Sequence, residues 1–207
     1  MYSFYSAKGN IGVAILAALA MGAVLLITGS TIVYNFFVLV AVGIPAYLVM
    51  IKMGAKNQLQ WEKYQVSMPV KRKNMVASFY LSILIPAIFG LLFCGAILGV
   101  GFMLHESIAE MLTETAFGQV SYVFGMVLLM GGFLFPIGSS KVAENRGEVF
   151  FSICLGLAIG VMILISIAGN GAGWSPAIIS LSQVGISIVV FVVSYFVTRS
   201  MYDKHNF

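Results

Sequence analysis

The side chains that could do chemistry are few in this sequence, and they lie between long apolar segments. Lys, Arg, Asp and Glu make up 9% of the 207 residues, against about 25% in an average soluble domain. Segment 54–74, GAKNQLQWEKYQVSMPVKRKN, holds the densest group, with Trp61 and Tyr64 beside lysines. Aromatic rings and lysines together are typical of the headgroup level of a bilayer. This composition predicts a binding surface, for lipid or for a protein partner, and no catalytic site.

The same segment predicts a break between two helices. Ser67 is a favourable residue at a helix N-terminus, and Pro69 is tolerated in a first helical turn but not further in. We therefore expect a short interfacial helix before Ser67 and a new helix after Pro69. Lys71, Arg72 and Lys73 would lie at the start of the new helix, which is the unfavourable end of the helix dipole for a cation. Their position favours anionic lipid or an acidic partner, and leaves open whether the segment is a membrane anchor or a docking element.

A second polar segment, residues 139–148, carries charges of both signs. Glu144 and Glu148 are four residues apart, with Arg146 between them and Lys141 before them. Two interpretations are open. The segment is either a second contact with a protein partner, through Glu144 and Arg146, or a solvated turn with local charge pairing.

A third polar segment, residues 105–117, carries an acidic stripe. Glu106, Glu110 and Glu114 repeat every four residues, which places them on one face of a helix. The stripe is either a solvated face or an outer entrance that favours cationic cargo, such as a basic peptide. His105 adjoins Glu106, but these two residues supply too few ligands for a metal site, and we expect none.

Motifs for ATP binding, hydrolysis and ion coupling are absent from the sequence. It contains no GxxxxGK[ST], GxSxG or HExxH pattern. The apolar segments contain no Asp, Glu, Lys or Arg, whereas ionisable residues in spans mark ion and proton paths. Cys94 and Cys154 lie inside apolar runs, where a free thiol behaves as a small hydrophobe. We therefore expect a chain without a cofactor that is neither an ion-coupled transporter nor a hydrolase.

Six long apolar segments must position these polar groups. The sequence is 60% hydrophobic with a mean hydropathy of +1.02, and a helix of about 20 apolar residues crosses a bilayer. Backbone groups in lipid must bond within their own segment, so we expect helices and an all-α integral membrane protein. Residues 1–207 then form a single transmembrane domain. Its spans are predicted at Ile11–Thr28, Thr31–Ile51, Met75–Leu104, Phe117–Gly138, Val149–Ala168 and Pro176–Thr198.

Basic residues predict the orientation. All 11 Lys and Arg residues fall on the side that holds both termini, segment 52–74 and segment 139–148. Cytoplasmic loops are enriched in Lys and Arg, so both termini and both segments are expected in the cytoplasm. The net charge of +4 is thus a topology signal, and we expect no nucleic acid partner.

Proline and glycine residues predict how the spans pack. Pro86 lies inside the long third span, where it removes a helical hydrogen bond and favours a kink. Gly156 and Gly160 form a GxxxG pattern in the fifth span, which is typical of helices that approach closely. This contact would form within the chain or with a second copy.

The run WEKYQVSMPVKRKNMVASFYL resembles the loop of small ABC-2 family transporter permeases, approximately W-x-x-Y-x-x-S-x-P-[VI]-x-R-x-x-[IV]-V. The chain is also similar to that family in size, in its six expected spans and in placing this loop between spans two and three. It departs from the family at Phe79, where many relatives carry Lys, and in the short segment 1–10 that precedes the first span. The matching residues are Trp61, Tyr64, Ser67, Pro69, Val70, Arg72 and Val76.

The resemblance implies the permease subunit of an exporter that moves amphipathic or hydrophobic cargo outward. It implies a second permease copy or a related permease, and two separate cytoplasmic ABC ATPase subunits that bind ATP and Mg. Trp61 and Tyr64 would anchor a short coupling helix, and Ser67 and Pro69 would set its break. Arg72 would meet the ATPase or lipid. The expected location is the cell membrane, as a multi-pass protein of the bacterial cytoplasmic membrane.

A second class of protein fits the size and span count. The substrate-binding component of an energy-coupling-factor vitamin importer also has about 200 residues, six spans and no ATPase motif. Such a component binds one small vitamin in an outward-facing pocket. Tight retention of a small molecule by the purified chain would favour this class, and co-purifying ATPase activity would favour the exporter.

Overall fold

The fold is a bundle of long helices. The computed structural model describes residues 2–54, 72–104, 117–138 and 147–204, and every regular element in these ranges is helical. We label the helices α1 to α7 in chain order, with one turn of π-helix, Leu39–Gly43, between α2 and α3. Their bounds are α1 Tyr2–Thr28, α2 Thr31–Val38, α3 Ile44–Gly54, α4 Arg72–Leu104, α5 Phe117–Gly138, α6 Gly147–Gly171 and α7 Pro176–Lys204.

Five helical segments are long and apolar enough to cross a membrane. They are Ile32–Met50, Val76–Leu104, Phe117–Pro136, Phe151–Gly171 and Pro176–Met201, and a shorter apolar stretch, Gly12–Thr28, ends α1. The all-helical class is confirmed for the described ranges. The count of six spans and the orientation of the termini stay predictions.

Several helices extend beyond the predicted apolar segments. α1 begins at Tyr2 instead of Ile11, and α7 continues to Lys204, six residues past Thr198. α6 runs from Gly147 to Gly171, longer at both ends than the predicted Val149–Ala168. Hydropathy locates the part of a helix that lies in lipid, whereas the helix itself continues until its hydrogen bonding is interrupted.

The second span differs from the uninterrupted helix that its apolar run predicts. The Ile44 N–H bonds to the Leu39 carbonyl, five residues back, and so closes a π-helical turn. Pro45 follows this turn. In a regular α-helix the Pro45 ring would clash with the Ala41 carbonyl, and Pro45 has no N–H to donate to that carbonyl. The wider π turn relieves the clash.

Two apolar cores divide the bundle along its length. We call the side where α3 ends and α4 begins the loop side. The core nearer the loop side joins α3, the first half of α4, the second half of α5, α6 and Phe191 of α7. The core on the far side joins α1, α2, the π turn, the second half of α4 and Val123 of α5. α4 therefore changes partners halfway along its length.

Burial separates the central helix from the peripheral one. Within Phe117–Pro136 of α5, an 18-residue stretch has 56% of its residues buried, against 17% for such a stretch within Phe151–Gly171 of α6. α5 packs most extensively against α7. The Cys94 and Cys154 side chains are both buried among apolar neighbours, as the sequence predicts.

Two glycines with positive φ allow the tight turns between helices. Gly29 (φ 58°) ends α1, and its N–H bonds to the Leu25 carbonyl. Gly173 (φ 70°) ends α6, where the Trp174 N–H bonds to Gly169 and the Gly173 N–H to Asn170. This pair of bonds is the Schellman motif, which favours Gly because a Cβ is strained at that φ.

Candidate coupling site

The predicted coupling residues lie in the segment before α4 and at the first residue of α4. Trp61, Tyr64, Ser67 and Pro69 are outside the described residues. Arg72 is the first residue of α4, so the backbone there is already helical. The prediction of a new helix that runs from the loop into the third span is confirmed from Arg72 onward.

The other predicted contacts also lie outside the described ranges. Glu144 and Arg146 precede the start of α6 at Gly147. Glu106, Glu110 and Glu114 lie between the end of α4 and the start of α5. Both assignments stay predictions.

α4 follows the loop as one long helix. It has 33 residues, which corresponds to roughly 50 Å at 1.5 Å per residue. A bilayer core is about 30 Å thick, so part of α4 extends beyond it or the helix tilts. Pro86 lies inside α4 without ending it. α4 is therefore one continuous helix from Arg72 to Leu104.

Tyr80 ties α4 to α5 and α7 on the loop side. Its hydroxyl oxygen lies 2.6 Å from Ser194 Oγ and 2.9 Å from Thr198 Oγ1, both on α7. Its side chain is 4% exposed. Its ring centroid lies 4.5 Å from Phe135 and 5.0 Å from Phe191, which places aromatic side chains of both helices against it.

The hydrogen bonds of Tyr80 form one directed chain. The Ser194 hydroxyl donates to the Gly132 carbonyl of α5. A serine hydroxyl has one proton, so Ser194 must accept from Tyr80. Tyr80 has likewise used its own proton, and the remaining bond runs from the Thr198 hydroxyl to the Tyr80 oxygen. The chain Thr198–Tyr80–Ser194–Gly132 thus joins three helices through hydroxyl groups in a buried site.

A second junction lies where α4 crosses the π turn at mid-length. A Cβ placed on Gly90 would lie 2.8 Å from Val42 Cα and 3.0 Å from the carbonyl carbon of Ala41, and nearer still to the Ala41 oxygen. No carbon approaches backbone atoms this closely, so the position accepts only glycine. A Cα hydrogen of Gly90 occupies this space against the Ala41 carbonyl, the arrangement of a weak C–H···O contact. The two spans that flank the loop therefore touch backbone to backbone.

The comparison with protein families agrees with this arrangement. A family model described as ABC-2 family transporter protein matches residues 3–203. The chain belongs to the ABC-2 transporter family. No curated protein and no solved structure matches it. Together with its apolar helices, the match makes the chain a multi-pass membrane protein and a transport subunit.

Phe79 of the ABC-2 subunit, at the position where the resemblance implies lysine in many relatives, packs against an aromatic side chain. Phe79 is buried, and its ring stacks on Phe135 with centroids 6.0 Å apart and 20° between the planes. A lysine with its charge at this position would need the ammonium to reach the headgroup level, because an unpaired charge inside the bundle is costly. The phenylalanine instead adds to the contact between α4 and α5 beside Tyr80.

Sequence analysis of the subunit missed a polar stripe on its last helix. Ser180, Gln183, Ser187, Ser194 and Thr198 are buried, and their spacing of three, four and seven residues places them on one face of α7. This spacing is the signal that was available in the sequence. Some bonds stay within α7, as from the Ser187 hydroxyl to the Gln183 carbonyl, and others leave it, as from the Gln183 amide to Ser166 Oγ at 3.0 Å.

Glycines of α5 face this stripe. A Cβ on Gly118, Gly125 or Gly132 would lie against Ser180, Ser187 or Phe191. Positions seven residues apart share a helix face, so α5 presents a small-residue surface along which α7 approaches closely. Among the described helices, α5 and α7 form the most extensively packed pair, and Tyr80 bonds α4 to α7.

Metal-binding groups are not clustered in the described ranges of the subunit. There, no three His, Cys, Asp or Glu side chains lie together as ligands of one metal ion.

Proposed function

We propose that this chain is the permease subunit of an ABC exporter, docked through segment 54–74 onto separate ATPase subunits. The family match over residues 3–203 carries the proposal. The course of α4, which begins at Arg72 and continues to Leu104, supports it, because such a helix converts a push on the loop into movement of the span. Cargo crossing this chain would be amphipathic or hydrophobic, since the predicted spans carry no fixed charge.

In this mechanism the chain itself forms no covalent intermediate. ATP, with Mg, binds the partner subunits and supplies the energy. Trp61 and Tyr64 would anchor a coupling helix at the membrane surface, and Ser67 and Pro69 would set the break that follows it. Closure of the ATPases displaces the helix, and α4 passes the displacement to α5 and α7. A second permease copy, or a related permease, completes the cargo path.

Purification from native cells tests this function. The chain is extracted in a mild detergent, and the eluate is assayed for ATP hydrolysis and for bound small molecules. We expect ATPase activity to co-purify. This activity would belong to a partner, because the chain itself lacks a phosphate-binding loop. A chain that elutes alone with one tightly held small molecule would contradict the exporter and favour a vitamin-binding subunit of an importer.

Labelling of introduced cysteines tests the proposed orientation. Lys56→Cys lies in segment 52–74 and Glu110→Cys in segment 105–117, and the two native thiols are buried. With six spans and cytoplasmic termini, a membrane-impermeant maleimide added to intact cells is expected to label Glu110→Cys and not Lys56→Cys. After the membrane is opened, both are expected to react. Equal labelling of both in intact cells would contradict six spans.

A further inference from the structure

The Tyr80 site links α4, which follows the loop, with α5 and α7, which are not adjacent to that loop in the chain. Tyr80 lies eight residues after Arg72, about 12 Å along α4 and inside the core nearer the loop side. Its hydroxyl bonds reach Ser194 and Thr198 of α7, and Ser194 continues to Gly132 of α5. Beyond Gly90, by contrast, α4 packs in the other core, with α1, α2 and the π turn. Tyr80 therefore lies in the half of α4 nearer the loop, where α4 contacts α5 and α7.

The hydroxyl bonds add a directional link to the apolar contacts between these helices. Transmembrane helices associate through van der Waals packing and interhelical hydrogen bonds, because the hydrophobic effect gives little driving force between them in lipid. A hydroxyl chain with donors and acceptors fixed by geometry resists sliding, because shear would leave buried polar groups unpaired. Both partner helices contribute: α7 supplies two hydroxyls, and α5 supplies the buried carbonyl of Gly132.

We infer that Tyr80 is a positioning residue that carries the nucleotide-driven displacement of α4 into α7 and α5. Loss of its hydroxyl would leave docking and ATP hydrolysis in place but uncouple α7 from them. The inference deepens the proposed function and rests on it. Tyr80 is then the residue through which movement passes from α4 to α5 and α7.

Fluorescent labels at two positions distinguish a loss of movement between helices from a loss of complex assembly. Phe102 near the end of α4 and Leu181 near the start of α7 are exposed, at 58% and 67%. Each is replaced by cysteine in turn and labelled with a polarity-sensitive fluorophore in the purified complex. The signal is the change on addition of ATP with orthovanadate. In the wild-type background we expect a change at both positions.

Tyr80→Phe is the test variant, and Tyr195→Phe is its matched control. Tyr195 lies on α7 with its ring 5.4 Å from that of Tyr80, and its hydroxyl takes no part in the Thr198–Tyr80–Ser194–Gly132 chain. Tyr80→Phe removes the bonds to both Ser194 and Thr198. We expect the change at Leu181 to fall at least about five-fold, the order expected for loss of a single hydrogen bond, while the change at Phe102 and the ATPase rate persist. Tyr195→Phe should behave as wild type. Thr198→Val removes only the Thr198–Tyr80 bond, so we expect a smaller fall at Leu181 than in Tyr80→Phe, and Thr198→Ser should restore the response.

The outcomes distinguish this inference from the proposed function. An unchanged Leu181 response in both Tyr80→Phe and Thr198→Val would overturn the inference and leave the exporter proposal intact. Loss of both reporter responses together with the ATPase activity would also overturn it, since Tyr80 would then act only in assembly. If Tyr80→Phe does not fold, Thr198→Val and Thr198→Ser decide alone. Absence of ATPase activity from the wild-type complex would overturn the proposed function, and this inference with it.

Discussion

Gly90→Ala is expected to destabilise the chain strongly. The new methyl group would meet the backbone of the π turn at Ala41 and Val42, which cannot rotate away as a side chain can. Overpacking of this kind costs about 1 to 3 kcal/mol, which corresponds to a fall of roughly 2 to 12 °C in the thermal midpoint of a chain this size. Thermal unfolding of the detergent-purified chain measures the effect.

Gly95→Ala is the matched control for this prediction. It lies on the same helix, and its added methyl group would meet nothing within 4 Å. We expect its thermal midpoint to equal or slightly exceed that of wild type, because alanine favours helix over glycine. Equal midpoints for the two variants would contradict the backbone contact between α4 and the π turn.

Trp61→Ala combined with Arg72→Glu is expected to abolish docking of the ATPase. Interfaces depend on a few Trp, Tyr and Arg side chains, each of which typically contributes 2 kcal/mol or more, so we expect binding to weaken by at least about 30-fold. The charge reversal adds repulsion toward an acidic partner surface. Co-purified ATPase activity per mole of chain measures the loss.

A double variant with the same chemistry elsewhere provides the control. Trp174→Ala changes a half-exposed residue in the turn before α7, and Lys204→Glu changes the last residue of that helix. Both double variants should elute and unfold as wild type does. Retained ATPase activity in Trp61→Ala, Arg72→Glu would contradict docking through the loop. Equal loss in both double variants would point to a general effect of charge or folding.

The sequence predicted the elements whose signals are local. Apolar length predicted the helices, because helix formation in lipid depends on a run of neighbouring residues. The family was indicated by the resemblance of the loop motif around Trp61 and Arg72, and the match over residues 3–203 confirms it.

The candidate site depended on contacts that span the chain. Tyr80 and Ser194 are 114 positions apart, and no spacing rule brings them together without the helix packing. The π turn was missed because a wide turn keeps the same apolar composition as an α-helix, and Pro45 alone predicts a kink as readily. The polar stripe of α7 was within reach of sequence analysis, because its spacing follows one helix face.

Cross-linking from the loop is the most direct test of the central claim, that this chain docks onto an ATPase through segment 54–74. A photoreactive phenylalanine analogue replaces Tyr64 in native cells, and the same analogue at Glu110 is the control. After irradiation, the account predicts a protein adduct at position 64 whose partner carries an ATP-binding phosphate loop, and none at position 110. Adducts with lipid alone at position 64, from a folded and membrane-inserted chain, would contradict it.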